Sequence, residues 1–341
     1  MINDMFQFKP VDTLFFRGAE PMVMGESHSS NFNFPPPPQT IEGAIRTLLY
    51  FKDKNEYRDL IRVGERKGGF NIFGPVFLAG DAIYVPAPYL WYRESSKKCG
   101  QGDKKADIHE QAERCFSFAK KAVNIPKIKI IKSNIPENTG FIKIKSDKLY
   151  WAKPENDELE SIGENWINIK DLLESSGEIR IFSKSHFFAL EQHVGIALEK
   201  NRTVRKSHIY SFNHARLMED VEILFFTDKA LPVNNEEVLT LGAEQRFGLL
   251  RRLKNQDFEN LKKMTNLNED NNNISGYMSL SIMGGDKDLN KYLNKTVIAT
   301  GKIQYLGGWD LHKGFHKDMI GYFPAGTVFK DKVCDGLVPI K

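Results

Sequence analysis

The sequence predicts an α+β fold of two tandem ferredoxin-like domains, residues 1–203 and 204–341, the first interrupted by a basic insertion at about 93–160. Three observations predict it. A chain of 341 residues suits about two domains. Its first half orders as strand, helix, strand, strand, helix, strand, the ferredoxin-like β-α-β-β-α-β arrangement. Its second half starts over with strand-like runs and glycine-marked turns.

Met5 to Phe16 reads as the first strand, with Pro10 demoting its middle to an edge or bulge. The polar stretch from Arg17 to Asn33 is a loop that runs into Phe34-Pro35-Pro36-Pro37-Pro38. Fixed φ and missing N–H groups make this an extended run that is not itself helix. Thr40 then caps a helix through its hydroxyl. Ile41, Ala44, Ile45, Leu48 and Leu49 form one apolar stripe, with Glu42 and Arg46 off it and four residues apart. The exposed N–H groups of such a helix start suit an anion such as phosphate. Gly68 to Leu78 and Ala82 to Pro86, about the turn at Gly80-Asp81, read as a β-hairpin. From Trp91 to about Leu159 regular patterning is lost, with Ile128, Ile130 and Ile131 marking one short β element. Glu164 to Ser176, with Trp166, Ile169, Leu172 and Leu173 at helical spacing, reads as the second helix, and His186 to Leu198 as the closing strand.

In the second half, His208 to Phe212 and Val221 to Phe226 read as strands. Leu239 to Leu253 is open between helix and strand: Leu249, Leu250 and Leu253 have helical spacing, while Gly242 and Gly248 count against a helix. Asn266 to Asn273 is a polar loop expected to be disordered. Gly276 to Met283 is a strand, Gly284-Gly285-Asp286 a turn, Asp288 to Leu293 a short helix, Val297 to Thr300 a strand and Gly326 to Phe329 the last strand.

Composition excludes several classes. Hydrophobic residues at 41% and charged residues at 27% are ordinary for a folded soluble protein. No apolar run approaches the roughly 20 residues of a membrane span, and Met1-Ile2-Asn3-Asp4 lacks the basic and apolar regions of a secretory signal. Cys99, Cys115 and Cys334 are odd in number and form no CxxC pair, which suits a reduced cytoplasm and no disulfide framework. His312 and His316 with Cys334 leave a zinc site short of ligands, so no metal is expected. Net charge is only +4, but the signs are segregated. Arg93 to Lys148 has 14 Lys and Arg against 7 Asp and Glu, and Glu155 to Glu178 has 8 acids against one Lys. Lys200 to Arg216 has five Lys and Arg and no acid, and Arg246 to Lys254 four and no acid. Basic stripes of this kind fit a polyanion touched along a limited track, or faces that are merely solvated.

Several stretches, in order, resemble one family. They are Asp12-Thr13-Leu14-Phe15-Phe16-Arg17 with the Pro35 to Arg46 segment, Phe73-Gly74-Pro75-Val76-Phe77 with Val85-Pro86-Ala87-Pro88, and His193 to Leu198. Leu241-Gly242-Ala243-Glu244-Gln245-Arg246, Gly307-Gly308-Trp309-Asp310 and Pro324 to Val328 complete the set. Together they are similar to the RAMP-superfamily third subunit of the Cmr effector complex, a type III-B CRISPR system of antiviral defence. At Ala243 and Gln245 the chain departs from the glycines that the family turn tends to have. The resemblance favours strand-turn-strand for residues 239–253 and implies two ferredoxin-like domains of the RNA-recognition (RRM-like) type. It implies a subunit that is not the one that cuts, uses no cofactor, and holds the 5′ repeat-derived tag of the guide RNA (crRNA). Its implied protein partners are the large polymerase/cyclase-like subunit and other RAMP subunits, in the cytoplasm and away from membranes.

Candidate RNA contacts follow. Arg17, Gln39, Thr40 and Arg46 surround the proline-led helix start, and Arg246 ends the glycine-containing turn. Gly284, Gly285 and Lys287 resemble the GGDD turn of palm-type cyclases, but Lys287 replaces the second acid, so metal-dependent catalysis is not expected. Gly307 and Gly308 allow close backbone approach, Trp309 offers a stacking face and Lys313 a charge. The plain alternatives are a solvated Arg46 and a buried Trp309. The alternative function is a metal-independent endoribonuclease that processes repeat RNA, with His28 in its Ser-rich loop as general base.

Overall fold

The computed structural model describes residues 2–16, 18, 32–65, 67–94, 118–132, 159–174, 177–233, 236–265, 274–285, 292, 296–310 and 315–340, with backbone alone at 119–120, 197, 205–210, 309–310 and 315–316. In chain order the elements are β1 (Asp4–Pro10), α1 (Pro38–Asp53), α2 (Arg58–Ile61), β2 (Ile72–Ala79), β3 (Ala82–Pro86) and β4 (Trp91–Glu94). Then come α3 (Phe118–Asn124), β5 (Ile128–Lys129), β6 (Ile131–Lys132), β7 (Leu159–Ser161), β8 (Trp166–Asn168), α4 (Ile169–Glu174) and β9 (Glu178–Ile179). A 3-10 turn, Lys184–His186, leads to β10 (Phe188–Leu198), β11 (Val204–Leu217), β12 (Val221–Thr227), β13 (Glu237–Thr240), β14 (Phe247–Leu253) and α5 (Gln256–Thr265). The last strands are β15 (Gly276–Ser279), β16 (Val297–Ala299), β17 (Gln304–Asp310), β18 (Phe315–Tyr322), β19 (Val328–Phe329) and β20 (Leu337–Ile340).

Among the described residues the central sheet has seven strands in the order β13-β14-β1-β12-β2-β3-β8. Every pairing is antiparallel. Met5, Phe6 and Phe8 of β1 are fully buried; removing each such side chain from water stabilises the fold by roughly 1.5–3 kcal/mol. A β-α-β crossover runs from β1 through α1 to β2, and β12 lies between the two strands. Ile41, Ile45 and Leu49 turn the buried stripe of α1 inward, as the spacing predicts, against β2 and β13. The smaller sheet is ordered β16-β19-β15-β20. One of its faces (Met278, Ile298, Val328, Val338, Ile340) joins the main core, and Tyr277, Val297, Phe329 and Leu337 build a second cluster on the other.

Several expectations change. The strand at 188–198 does not close the first sheet; it pairs with β11 in a separate two-stranded ribbon, and β12 and β14 flank β1 instead. The central sheet therefore draws strands from both sides of residue 203. Pro10 neither bulges nor edges β1; it ends a strand that lies in mid-sheet. The second helix is shorter than its spacing suggests, because Trp166 and Ile167 belong to β8. Residues 237–253 are strand-turn-strand. The helix α5 and strand β20 have no counterpart in the predicted elements. Most of 93–160, the loop 266–273 and the proposed 288–293 helix lie outside the described residues. Among the described residues no helix is long and apolar enough to cross a membrane.

Candidate nucleic-acid interface

The proline run forms one wall of a cleft of about 390 Å3. Phe34 anchors that wall: its ring meets Phe188 at 4.6 Å and lies within 6.2 Å of Phe77. Facing the prolines are Leu280 to Ile282 and the stretch from Lys302 to Leu306 that leads into β17. The Gly74 N–H of β2 donates to Ser281 Oγ at 2.6 Å and ties β2 to the Leu280 to Ile282 segment. The buried Tyr89 and Trp166 also line it. Burial raises the Tyr89 phenol above its ordinary value, so it stays a neutral hydroxyl. Gly301 is required beside it, because a Cβ there would sit 2.3 Å from Tyr89 Oη. At the rim are Lys184 and Lys302, both exposed, and Tyr305, 64% exposed. Neither lysine has an ion-pair partner among the described residues; Glu164 is the acid on the lining. Walls of mixed polar and apolar surface with two exposed lysines suit a ligand with flat apolar parts and negative charge.

The residues expected to contact RNA do not all gather here. The helix begins at Pro38 with Pro37 in the capping place, and Thr40 lies inside the first turn, its N–H donating to Pro37 O at 2.9 Å. Prolines can enter the first turn because the N–H groups they lack have no intrahelical acceptor. Gln39 is exposed beside them. Arg46 is turned away from the cleft. Its Nε donates to Ile61 O at 2.7 Å, and one Nη donates to Arg62 O and Glu65 O at 3.0 Å each. Glu42 accepts from the Gly68 N–H and lies 3.7 Å from Arg46. The pair staples the loop after α2 and is no anion site. Arg246 is also engaged, with Asp12 at 3.0 Å and Glu244 at 3.2 Å, and its side chain is 22% exposed.

Gly307 and Gly308 are in strand, not in a turn; the register slips between Leu306 and Gly308, and Gly308 faces Lys317. They continue directly from the cleft wall at Leu306. Gly284 and Gly285 follow the opposite wall with φ of +120° and +153°, a conformation that favours glycine. The proline run lines the cleft, whereas the two glycine pairs follow lining residues in sequence without lining it themselves, and Arg46 and Arg246 are not on the lining either. Arg17, His28, Lys287, His312 and Lys313 lie outside the described residues, as do the side chains of Trp309 and His316. Among the described residues no cluster of His, Cys, Asp or Glu fits a metal ion. Lys184, Lys302 and Tyr305 were not among the sequence candidates. Each stands outside any motif, and only folding brings it to the cleft that the prolines line.

A family model described as CRISPR-associated protein (Cas_Cmr3) matches residues 6–333. None of the curated proteins matches the sequence. A chain in the cryo-EM structure of the type III-B Cmr-beta bound to cognate target RNA and AMPPnP is 17% identical, with a TM-score of 0.52 over 96% of this chain and 86% of that one. A chain in the cryo-EM structure of the type III-B Cmr-beta bound to cognate target RNA is 17% identical, with a TM-score of 0.52 over 96% of this chain and 87% of that one. A chain in the crystal structure of the Csm3-Csm4 subcomplex of the type III-A CRISPR-Cas interference complex is 16% identical, with a TM-score of 0.42 over 99% and 98%.

Proposed function

Because the chain belongs to the CRISPR-associated Cas_Cmr3 family, we propose that it is a non-catalytic subunit of a type III-B RNA-guided effector complex. In this reading it holds the 5′ repeat-derived tag of the guide RNA and docks onto the large polymerase/cyclase-like subunit beside other RAMP subunits. The central and smaller sheets would be its two RNA-recognition-type halves. The cleft carries the reading. Its proline wall and Tyr305 offer apolar faces to unstacked bases, and Lys184 and Lys302 stand where phosphates would pass. Phosphate contacts position the strand and make its binding salt-dependent.

The test is crosslinking in the assembled complex, with 4-thiouridine placed through the tag. The expected adducts fall on peptides covering residues 32–38 and 302–306. Lys184→Glu and Lys302→Glu should each weaken binding and each reduce the salt slope by roughly 0.7 per lost contact. Adducts confined to other surfaces, with both variants binding as the parent does, would remove the cleft from the RNA path.

A further inference from the structure

The ribbon formed by β10 and β11 meets the body of the protein at its root, and there its inner face carries a cluster of charged side chains. Glu191 and His193 come from β10, and His214 and Arg216 from β11. Asp12 and Thr13 face them from the segment after β1, and Glu244 and Arg246 from the turn between β13 and β14. Arg216 bridges Glu191 and Asp12, the latter at 3.1 Å. His193 Nε2 lies 2.8 Å from Glu191. The rings of His193 and His214 stack with centroids 3.9 Å apart and planes at 4°, and Phe15 covers the stack at 5.1 Å from His214. Beside the stack, the Leu14 and Ala215 backbones exchange two hydrogen bonds of 2.8 Å. That pair joins the ribbon to the segment after β1.

His214 is the side chain at the centre. It is fully buried, and its Nδ1 is 3.1 Å from Thr13 Oγ1. Its Nε2 has no hydrogen-bond partner, and the nearest acid, Glu244 Oε2, stands at 3.7 Å. A neutral imidazole tolerates that position because one nitrogen is a bare acceptor. An imidazolium carries a second N–H, and a buried charge without a partner is costly. A bond of ordinary length to Glu244 needs the 3.7 Å gap to close, and a shift of the ring in that direction is at the expense of its stack on His193. Around it three carboxylates (Asp12, Glu191, Glu244) face two guanidiniums (Arg216, Arg246), and the acid nearest its free nitrogen is Glu244.

We propose that His214 is the bolt of a proton-operated latch: neutral, it holds the ribbon root against the 12–16 segment, and protonated, it frees the root through a shift toward Glu244. Burial, then the neighbouring His193, holds the His214 imidazole below the ordinary histidine value. The closed latch therefore binds fewer protons than the open one. Its stability is complete above the unperturbed value of about 6.5 and is lost as pH falls below it.

Hydrogen exchange at the Leu14 and Ala215 amides of the full chain tests this, after correction for intrinsic rates. Between pH 8 and 5 their opening should rise as pH falls below 6.5, approaching on the order of tenfold per pH unit for one proton. The Ile223 amide in the central sheet should not follow. His214→Phe keeps a ring in the stack that cannot titrate, and its opening should be flat with pH. Glu244→Gln removes the negative charge that steadies the imidazolium after the shift, and the onset should move to lower pH. A flat wild-type profile, Ile223 opening in step, or a pH response retained in His214→Phe overturns the proposal. If His214→Phe does not fold, Glu244→Gln decides, and an unchanged onset overturns it equally.

Discussion

Two arginines show how far a single residue can be read from sequence. Arg46 and Arg246 are cations in segments that look exposed, and both were expected on RNA. In the fold Arg46 donates to three loop carbonyls and Arg246 pairs with two carboxylates. Net charge says nothing about which partner a guanidinium meets, because the carbonyls of residues 61–65 come near Arg46 only once α1 and α2 have folded. The consequence is measurable. Arg46→Ala should lower the unfolding free energy in urea by about 1–3 kcal/mol, since it strands partly buried carbonyls. It should leave RNA affinity unchanged at a temperature where the variant is folded. A loss of affinity with no loss of stability would return Arg46 to the RNA site.

At the scale of elements, legibility followed local chemistry. The hairpin at 72–86 was readable because its turn residues and apolar run lie together in sequence. The strand-turn-strand at 237–253 was not readable from spacing alone, since Leu249 and Leu250 fit a helix as well as a strand. Helix α5 carries a local signal: Asn255 Oδ1 accepts from the Asp257 N–H at 2.7 Å, an N-terminal cap, ahead of buried Phe258 and Leu261. The proline run misled in a specific way, because its last member is already helical. The turn after β13 retains one glycine that the fold needs. Gly242 has φ of +98°, and a Cβ there would lie 2.7 Å from Phe15 O. Gly242→Ala should therefore destabilise by at least about 1–2 kcal/mol from backbone conformation alone, read as a lower urea midpoint with unchanged slope. An unaltered midpoint would mean that the turn is free to move off Phe15.

For the whole molecule, the mixed helix-and-strand class was legible, and the strand order of the central sheet was not. Pairing between β1 and strands beyond residue 220 leaves no local trace, because no periodicity within β1 names its neighbours. The smaller sheet also shares a face with the main core. A fragment of residues 1–203 lacks both strands that flank β1, so it should show no cooperative thermal transition by circular dichroism. A sharp transition in that fragment would establish a self-sufficient first half.

The position of β1 has a further consequence for biosynthesis. Its partners β12 and β14 begin at Val221 and Phe247. At about 5–20 residues per second of synthesis, a strand finished at Pro10 waits roughly 10–40 s for the first of them to be made. During that interval Met5, Phe6 and Phe8 have left the ribosome with no sheet to enter. Strand β1 is thus made well before it can be enclosed, and the nascent chain depends on whatever shields these apolar side chains during translation.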